Sequence, residues 1–413
     1  MNTPAPRALL IVPLVASLLM LAPFTVDAYL PSFPTIAQEF GVDGAAMQQT
    51  LSIYLWFFGG LMLVHGPLSD TFGRKRTVLI ALFVYALASV GAALAQSLSE
   101  LIYARIGQGI AAGAGVVIGR ALVRDLFQGA TAQRVMSNVM LVFAAAPAVA
   151  PIVGGALEVV FGWRSVFWFL AGFALLLIVG VARFMPETVG EHNRQPLALI
   201  FVLKSYGRAL THAPFIGLTL VFALLFSGLF LYIAAAPAVL IDHLGQSPTD
   251  FWKFFVPLVT GLILGSRVSN FLSRRASPLQ TVTWGLVLTG LAVIYNLAQS
   301  FWFVSGDDSL WWTVSPITLY AMGMATAMPA LTLMGLDYIP AQRGLASALQ
   351  GFIQMGLAGI VSAFVVAKLA THLTWLAMGM LVLWALAAVL WGLWLQWAPK
   401  LGFASEGAGG FAK

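Results

Sequence analysis

The chain has 413 residues, of which 60% are hydrophobic and 9% charged, and its mean hydropathy is +0.92. A soluble domain carries about 25% charged residues, so the composition excludes an ordinary soluble protein and predicts a membrane protein. The net charge of +6 does not read as a nucleic-acid surface, because the cations sit in short segments between apolar runs. With no cysteine, disulfides, thiolate metal sites and thiol nucleophiles are excluded.

A membrane-spanning helix takes about 20 mostly apolar residues. Twelve such runs follow one another: 8–30, 48–65, 77–96, 100–123, 135–160, 165–185, 214–240, 251–272, 279–298, 310–336, 345–369 and 374–397. Lipid offers no partner to a backbone amide, so these runs are helices; barrel strands alternate and are shorter. The first run follows Arg7 like a secretory signal but continues to Leu30 with no small-residue cleavage site, which predicts a retained helix. The longest polar segment, 186–213, contains Glu187, Glu191, His192, Arg194, Lys204 and Arg208. The fold class predicted is an all-α membrane protein of two six-helix bundles, 1–185 and 214–413, joined by that linker. With both termini cytoplasmic, most cations fall inside, Lys400 and Lys413 in the tail among them; the opposite orientation inverts the positive-inside rule.

The stretch 66–76 reads Gly-Pro-Leu-Ser-Asp-Thr-Phe-Gly-Arg-Lys-Arg. It is expected to be a short hairpin between the second and third helices, with Asp70 just past one helix end and able to pair with Arg74. Gly73 supplies a position where positive φ is cheap. The bland alternative is a topology signal, three cations holding a loop inside. A topology signal needs neither Asp70 nor Gly66 and Gly73 at these offsets. A weaker copy, 265–275, lies between helices eight and nine and keeps a glycine and Arg274–Arg275 but no aspartate.

Asp27, in the first helix, is read as the one carboxylate well inside a span. An intramembrane acid marks a proton or substrate pathway; the alternative is an acid at a helix mouth, already in water. Arg105, one to two turns into the fourth helix, is expected at matching depth as its partner. Gly109 and Gly113 follow it at helical spacing, Gln108 is beside it, and Gly107, Ala111, Gly115 and Gly119 form a second small stripe suited to close packing. Arg120, Arg124 and Asp125 close that helix at the level of Asp70 and Arg74, either as a charge network or as a solvated helix end. The fifth helix carries Pro147 and Pro151 with Gly154 and Gly155, a pattern that bends or stiffens a helix and lets another approach. For substrate contact the candidates are Tyr29, Tyr54, Phe58, Gln108, Phe143, Phe230, Tyr232, Gln354 and Met355; the tyrosines and glutamines rank first because their polar atoms need partners in lipid.

The stretch 66–76 resembles the loop 2–3 signature of the major facilitator superfamily, in which the aspartate, second glycine and first arginine latch the two halves of a transporter. Arg105-Ile-Gly-Gln-Gly109 resembles the family's helix-four signature, whose arginine is implicated in proton transfer. The Pro147–Pro151 pattern resembles the exporter motif, with alanine at 150 where glycine is usual. With Asp27-Ala-Tyr-Leu-Pro31, Arg124–Asp125 and Gly344-Leu-Ala-Ser-Ala-Leu-Gln350, the whole looks like the bicyclomycin/chloramphenicol-resistance (Bcr/CflA) group of drug:proton antiporters. The resemblance implies a monomeric bacterial inner-membrane exporter of small drug-like molecules, driven by the proton gradient with no cofactor and no nucleic-acid partner. The rivals are a metabolite exporter or proton symporter on the same fold, and a membrane-embedded enzyme. The enzyme reading is disfavoured because His65, His192, His212, His243 and His372 all fall at expected span ends or in loops.

Overall fold

The computed structural model describes residues 6–190, 199–301 and 308–397. Among them there is no strand, and twelve helices are long and apolar enough to cross a membrane. Glu191, His192, Arg194, Lys400 and Lys413 lie outside the described residues.

In chain order the helices are α1 (Pro6–Asp27), α2 (Phe33–Phe40), α3 (Gly44–Phe72), α4 (Arg74–Leu94), α5 (Leu98–Leu126), α6 (Gly129–Phe161), α7 (Arg164–Phe184), α8 (Leu199–Thr211), α9 (Ala213–Ala234), α10 (Trp252–Leu272), α11 (Pro278–Phe301), α12 (Asp308–Asp337), α13 (Arg343–Ile360), α14 (Ala367–Leu369) and α15 (Leu373–Trp397). A 3-10 turn at Leu30–Ser32 joins α1 to α2, and a π-helical segment, Val361–Val366, joins α13 to α14.

The chain divides into two compact units, Met1–Leu197 with Gln246–Phe255, and Ala198–Gly245 with Val256–Lys413. The Gln246–Phe255 segment was expected with the second half and packs with the first unit. In the first unit α5 is the most buried span, at 72% of its apolar window; in the second it is α9, at 78%. Each unit is built around that helix, which bears small residues where neighbours come closest. A Cβ on Gly115 of α5 would lie 2.6 Å from the Leu18 carbonyl oxygen of α1, and one on Gly109 would lie 2.6 Å from the Tyr54 carbonyl oxygen of α3. In the second unit Gly228 of α9 gives way to the Tyr320 hydroxyl, which donates to the Leu225 carbonyl at 2.9 Å.

The stretch 66–76 is not a hairpin loop: α3 runs through Gly66, Pro67 and Asp70 to Phe72, and α4 starts at Arg74. Pro67 costs one backbone bond inside the helix, but the only residue between the two helices is Gly73.

Candidate functional site

At Gly73 the backbone takes φ 96° and ψ 144°, a region open to glycine and closed to side-chain-bearing residues. The abrupt restart leaves the first N–H groups of α4 without helical acceptors. Glu187, three residues past α7, supplies one carboxylate for two of them: Arg74 N donates to Oε1 at 2.9 Å and Lys75 N to Oε2 at 3.2 Å. A carboxylate also suits the positive end of a helix. A Cβ on Gly73 would meet Glu187 Oε2 at 2.5 Å, so glycine is required there twice over.

Arg74 gathers the remaining charge. Its Nη1 lies 2.7 Å from Asp70 Oδ1, and its Nε donates to Asp125 Oδ2 at 2.9 Å. Nη1 also donates to Ser69 Oγ at 2.7 Å, and Thr188 Oγ1 donates to Asp125 Oδ2 at 2.7 Å. The clasp therefore joins α3, α4, α5 and the chain just after α7. Of the expected inner-end network, Arg74, Asp70 and Asp125 are in it. Arg124 is exposed and outside it, and Arg120 is half-buried with an Nε that has no hydrogen-bond partner. Gly66 is not a tight contact: a Cβ there would sit 3.8 Å from Val117 Cγ1. Glu187, Thr188 and Ser69 escaped sequence reasoning. The available signal was a carboxylate and a hydroxyl three and four residues past the end of α7, in a segment read as linker.

Arg105 forms the second centre. It is fully buried, which the close approach of α5 to α1 and α3 permits. Its Nη1 donates to the Thr25 carbonyl at 3.1 Å and to Gln108 Oε1 at 2.8 Å, and its Nε donates to the Thr50 carbonyl at 3.3 Å. Gln108 in turn donates to Ser89 Oγ at 2.9 Å. The guanidinium carbon lies 4.8 Å from the ring centre of Tyr29 and 4.5 Å from that of Tyr54. Thr25 lies in the last turn of α1, where carbonyls lack helical partners and carry the negative end of the helix dipole. That helix end, with two aromatic faces, takes the place of a counter-ion.

Asp27 is the last residue of α1 and is buried. It joins none of the ion pairs among the described residues, so the expected Asp27–Arg105 pair does not form. Arg105 Nη2 is buried and has no hydrogen-bond partner. A second acid is buried among the described residues, three residues from the end of its span. Glu158 on α6 is buried, and its Oε2 accepts a hydrogen bond of 2.7 Å from Ser32 Oγ. It was passed over because it lies near the end of its apolar run.

The proline helix α6 is continuous through Pro147 and Pro151. Gly154 packs on the backbone of Ala28, and Gly155 packs on the Pro248 carbonyl within the segment that joins the first unit. Both glycines therefore mark backbone contacts. His65, expected at a span end, is buried within α3.

The candidate substrate contacts separate into two groups. Tyr29, Tyr54 and Tyr232 are buried, and their hydroxyls are already used: Tyr29 with Thr50 Oγ1 at 2.9 Å, Tyr54 with the Ala22 carbonyl at 3.2 Å, Tyr232 with Asn296 Nδ2 at 2.7 Å. Gln108 likewise bonds through both ends of its amide, to Arg105 and Ser89. Phe58 stacks on Tyr54 and Phe230 on Phe226, both buried in their units. Phe143, Gln354 and Met355 keep partly exposed side chains.

The twelve membrane-length helices among the described residues, with a charged clasp at one helix break and a buried arginine, mark a multi-pass membrane protein. The family model for the Major Facilitator Superfamily matches residues 15–363, and the chain belongs to that family. It is 29% identical over 358 residues to an uncharacterized MFS-type transporter, YdgK, of Bacillus subtilis (85% of this chain, 87% of that one). It is 29% identical over 355 residues to a bicyclomycin resistance protein homolog of Haemophilus influenzae (84% and 86%). With a chloramphenicol resistance protein of Pseudomonas aeruginosa it shares 27% over 384 residues (88% and 86%). In fold it is similar to the crystal structure of a bacterial homolog of the human lysosomal transporter Spinster, with a TM-score of 0.71, 15% identity, and 95% and 98% of the two chains covered.

Proposed function

We propose that the protein is a proton-coupled exporter of small, uncharged, moderately lipophilic drug-like molecules, within the Bcr/CflA group. The observation that carries the reading is Asp27, an acid buried at the end of α1 and outside every ion pair among the described residues. Such a group in a span marks a proton or substrate pathway. Asp27 exchanges the proton, and Arg105, whose Nη2 is unpartnered, stands ready to stabilise its anion or a substrate acceptor in another state. Substrate and proton compete for one state of the carrier, so one gradient drives the other. The moving bodies are the halves 1–185 and 214–413, joined by 186–213, except that 246–255 goes with the first. The Arg74 clasp holds one arrangement of the first half, and the backbone contacts of Gly154 and Gly155 hold α6 in place. Phe143, Gln354 and Met355 are the substrate contacts this reading favours, because they are not consumed inside a bundle.

Names of relatives support the substrate class: bicyclomycin and chloramphenicol resistance proteins are among them. The positive-inside distribution of cations supports both termini being cytoplasmic, and the family resemblance implies a monomer in a bacterial inner membrane. The test is a susceptibility panel on cells expressing wild type or Asp27→Asn. Protection against neutral antibiotics by wild type, lost in the variant, is expected. Uphill transport by Asp27→Asn in vesicles with an imposed proton gradient would remove Asp27 as the carrier.

A further inference from the structure

The three cations after Gly73 differ in what they touch. Arg74 is in the clasp, and Lys75 Nζ donates to the Ala182 carbonyl in the last turn of α7 at 2.7 Å. Arg76 is exposed and joins none of the ion pairs among the described residues. The acids around it are engaged: Asp70 and Asp125 with Arg74, and Glu187 with the first amides of α4.

Arg76 also lines a cavity of about 380 Å3 between α3 and α4, at the small end of the ~300–1,000 Å3 typical of ligand sites. The apolar lining includes Leu61 and Leu68 of α3, Ile80 and Val84 of α4, and Ile110 of α5. From Arg76 to Val84 the α4 wall runs about 12 Å at ~1.5 Å per residue. Phe72, Ile80 and Val84, all in the lining, are exposed on membrane-spanning helices, so the gap opens sideways to hydrocarbon. The lining holds no carboxylate. His65 and Thr77 are its other polar residues, so an amine finds no counter-charge there, whereas a phosphate finds a guanidinium whose planar fork matches it.

We propose that this gap binds one anionic phospholipid, with the phosphate on Arg76 and an acyl chain between α3 and α4. In the orientation given above this is the cytoplasmic leaflet. An unfilled apolar gap forfeits dispersion contacts on its walls, and a lipid chain restores them without a protein side chain. The lipid would brace α4 one turn from the clasp.

Native mass spectrometry of the purified full-length protein tests this, with phosphatidylglycerol and phosphatidylcholine of identical acyl chains as probes. Wild type should retain one phosphatidylglycerol in preference to phosphatidylcholine. Arg76→Gln should cut that preference about fivefold, the effect of one cation beside an anionic lipid. Ala81→Phe, which fills the gap from α4, should weaken retention of both lipids. Equal retention of the two lipids by wild type would overturn the proposal, as would a preference that Arg76→Gln leaves intact. Arg76 is exposed, so its variant carries the test even if Ala81→Phe is lost from the membrane.

Discussion

The Glu187 carboxylate fills the space in which a side chain on residue 73 would begin, with Oε2 2.5 Å from that Cβ position. The same carboxylate caps α4 through the amides of Arg74 and Lys75. The break between α3 and α4 is therefore held by a residue more than a hundred positions away in the chain.

Gly73→Ala should lose most transport while the protein still reaches the membrane. The backbone strain alone is about 1–3 kcal/mol, and the collision with Glu187 adds to it. Adding Glu187→Ala removes the collision and leaves the strain, so the double variant should recover part of the activity. Efflux rates normalised to membrane protein level check this; no recovery would mean that Glu187 does not crowd residue 73.

Arg74 serves Asp70, Asp125 and Ser69 at once. A lysine keeps the charge but has no fork with which to reach both acids. Arg74→Lys should transport at an intermediate rate and Arg74→Gln near background. If lysine proves as damaging as glutamine, charge is irrelevant at this position; if lysine matches wild type, the two-acid geometry is.

Because Arg105 is held by carbonyls and rings rather than by Asp27, the two residues should act nearly independently on stability in this state. A double-mutant cycle with Asp27→Asn and Arg105→Gln, read as unfolding in detergent, should show a coupling within about 0.5 kcal/mol. Breaking a buried ion pair costs about 3–5 kcal/mol, so strong coupling would show that a pair forms after all.

The hydroxyls of Tyr29, Tyr54 and Tyr232 bond within their own units. Tyr232→Phe leaves Asn296 Nδ2 with only the weak acceptor Met380 Sδ and should cost about 1 kcal/mol of stability. The apparent affinity for substrate should not change. Tyr29→Phe and Tyr54→Phe should behave the same way, more mildly. A weakened substrate affinity at unchanged melting temperature would return these residues to the binding site.

Much of this molecule is legible without a structure. The twelve spans follow from lipid's refusal to hydrogen-bond backbone, which forces long apolar helices whatever their packing. Small residues on α5 announce a helix pressed against its neighbours, and Gly109 and Gly115 meet α3 and α1 backbone where that pattern points. Asp70, Arg74 and Asp125 are recognisable because charges are scarce here and two of them lie one turn apart.

What tertiary structure alone decided is which polar atoms are already spent. Depth along a helix can be counted from sequence, but the direction and partner of a side chain depend on how helices rotate against one another. Counting placed Asp27 beside Arg105, and packing gave Arg105 to the end of α1 instead. Tyrosines whose polar atoms need partners found them in their own units, and Glu158 found Ser32. Glu187 belongs to the clasp only because α7 ends beside the start of α4, a juxtaposition that no local pattern encodes. Composition and periodicity act through the solvent and are local; pairing acts through contact and is not.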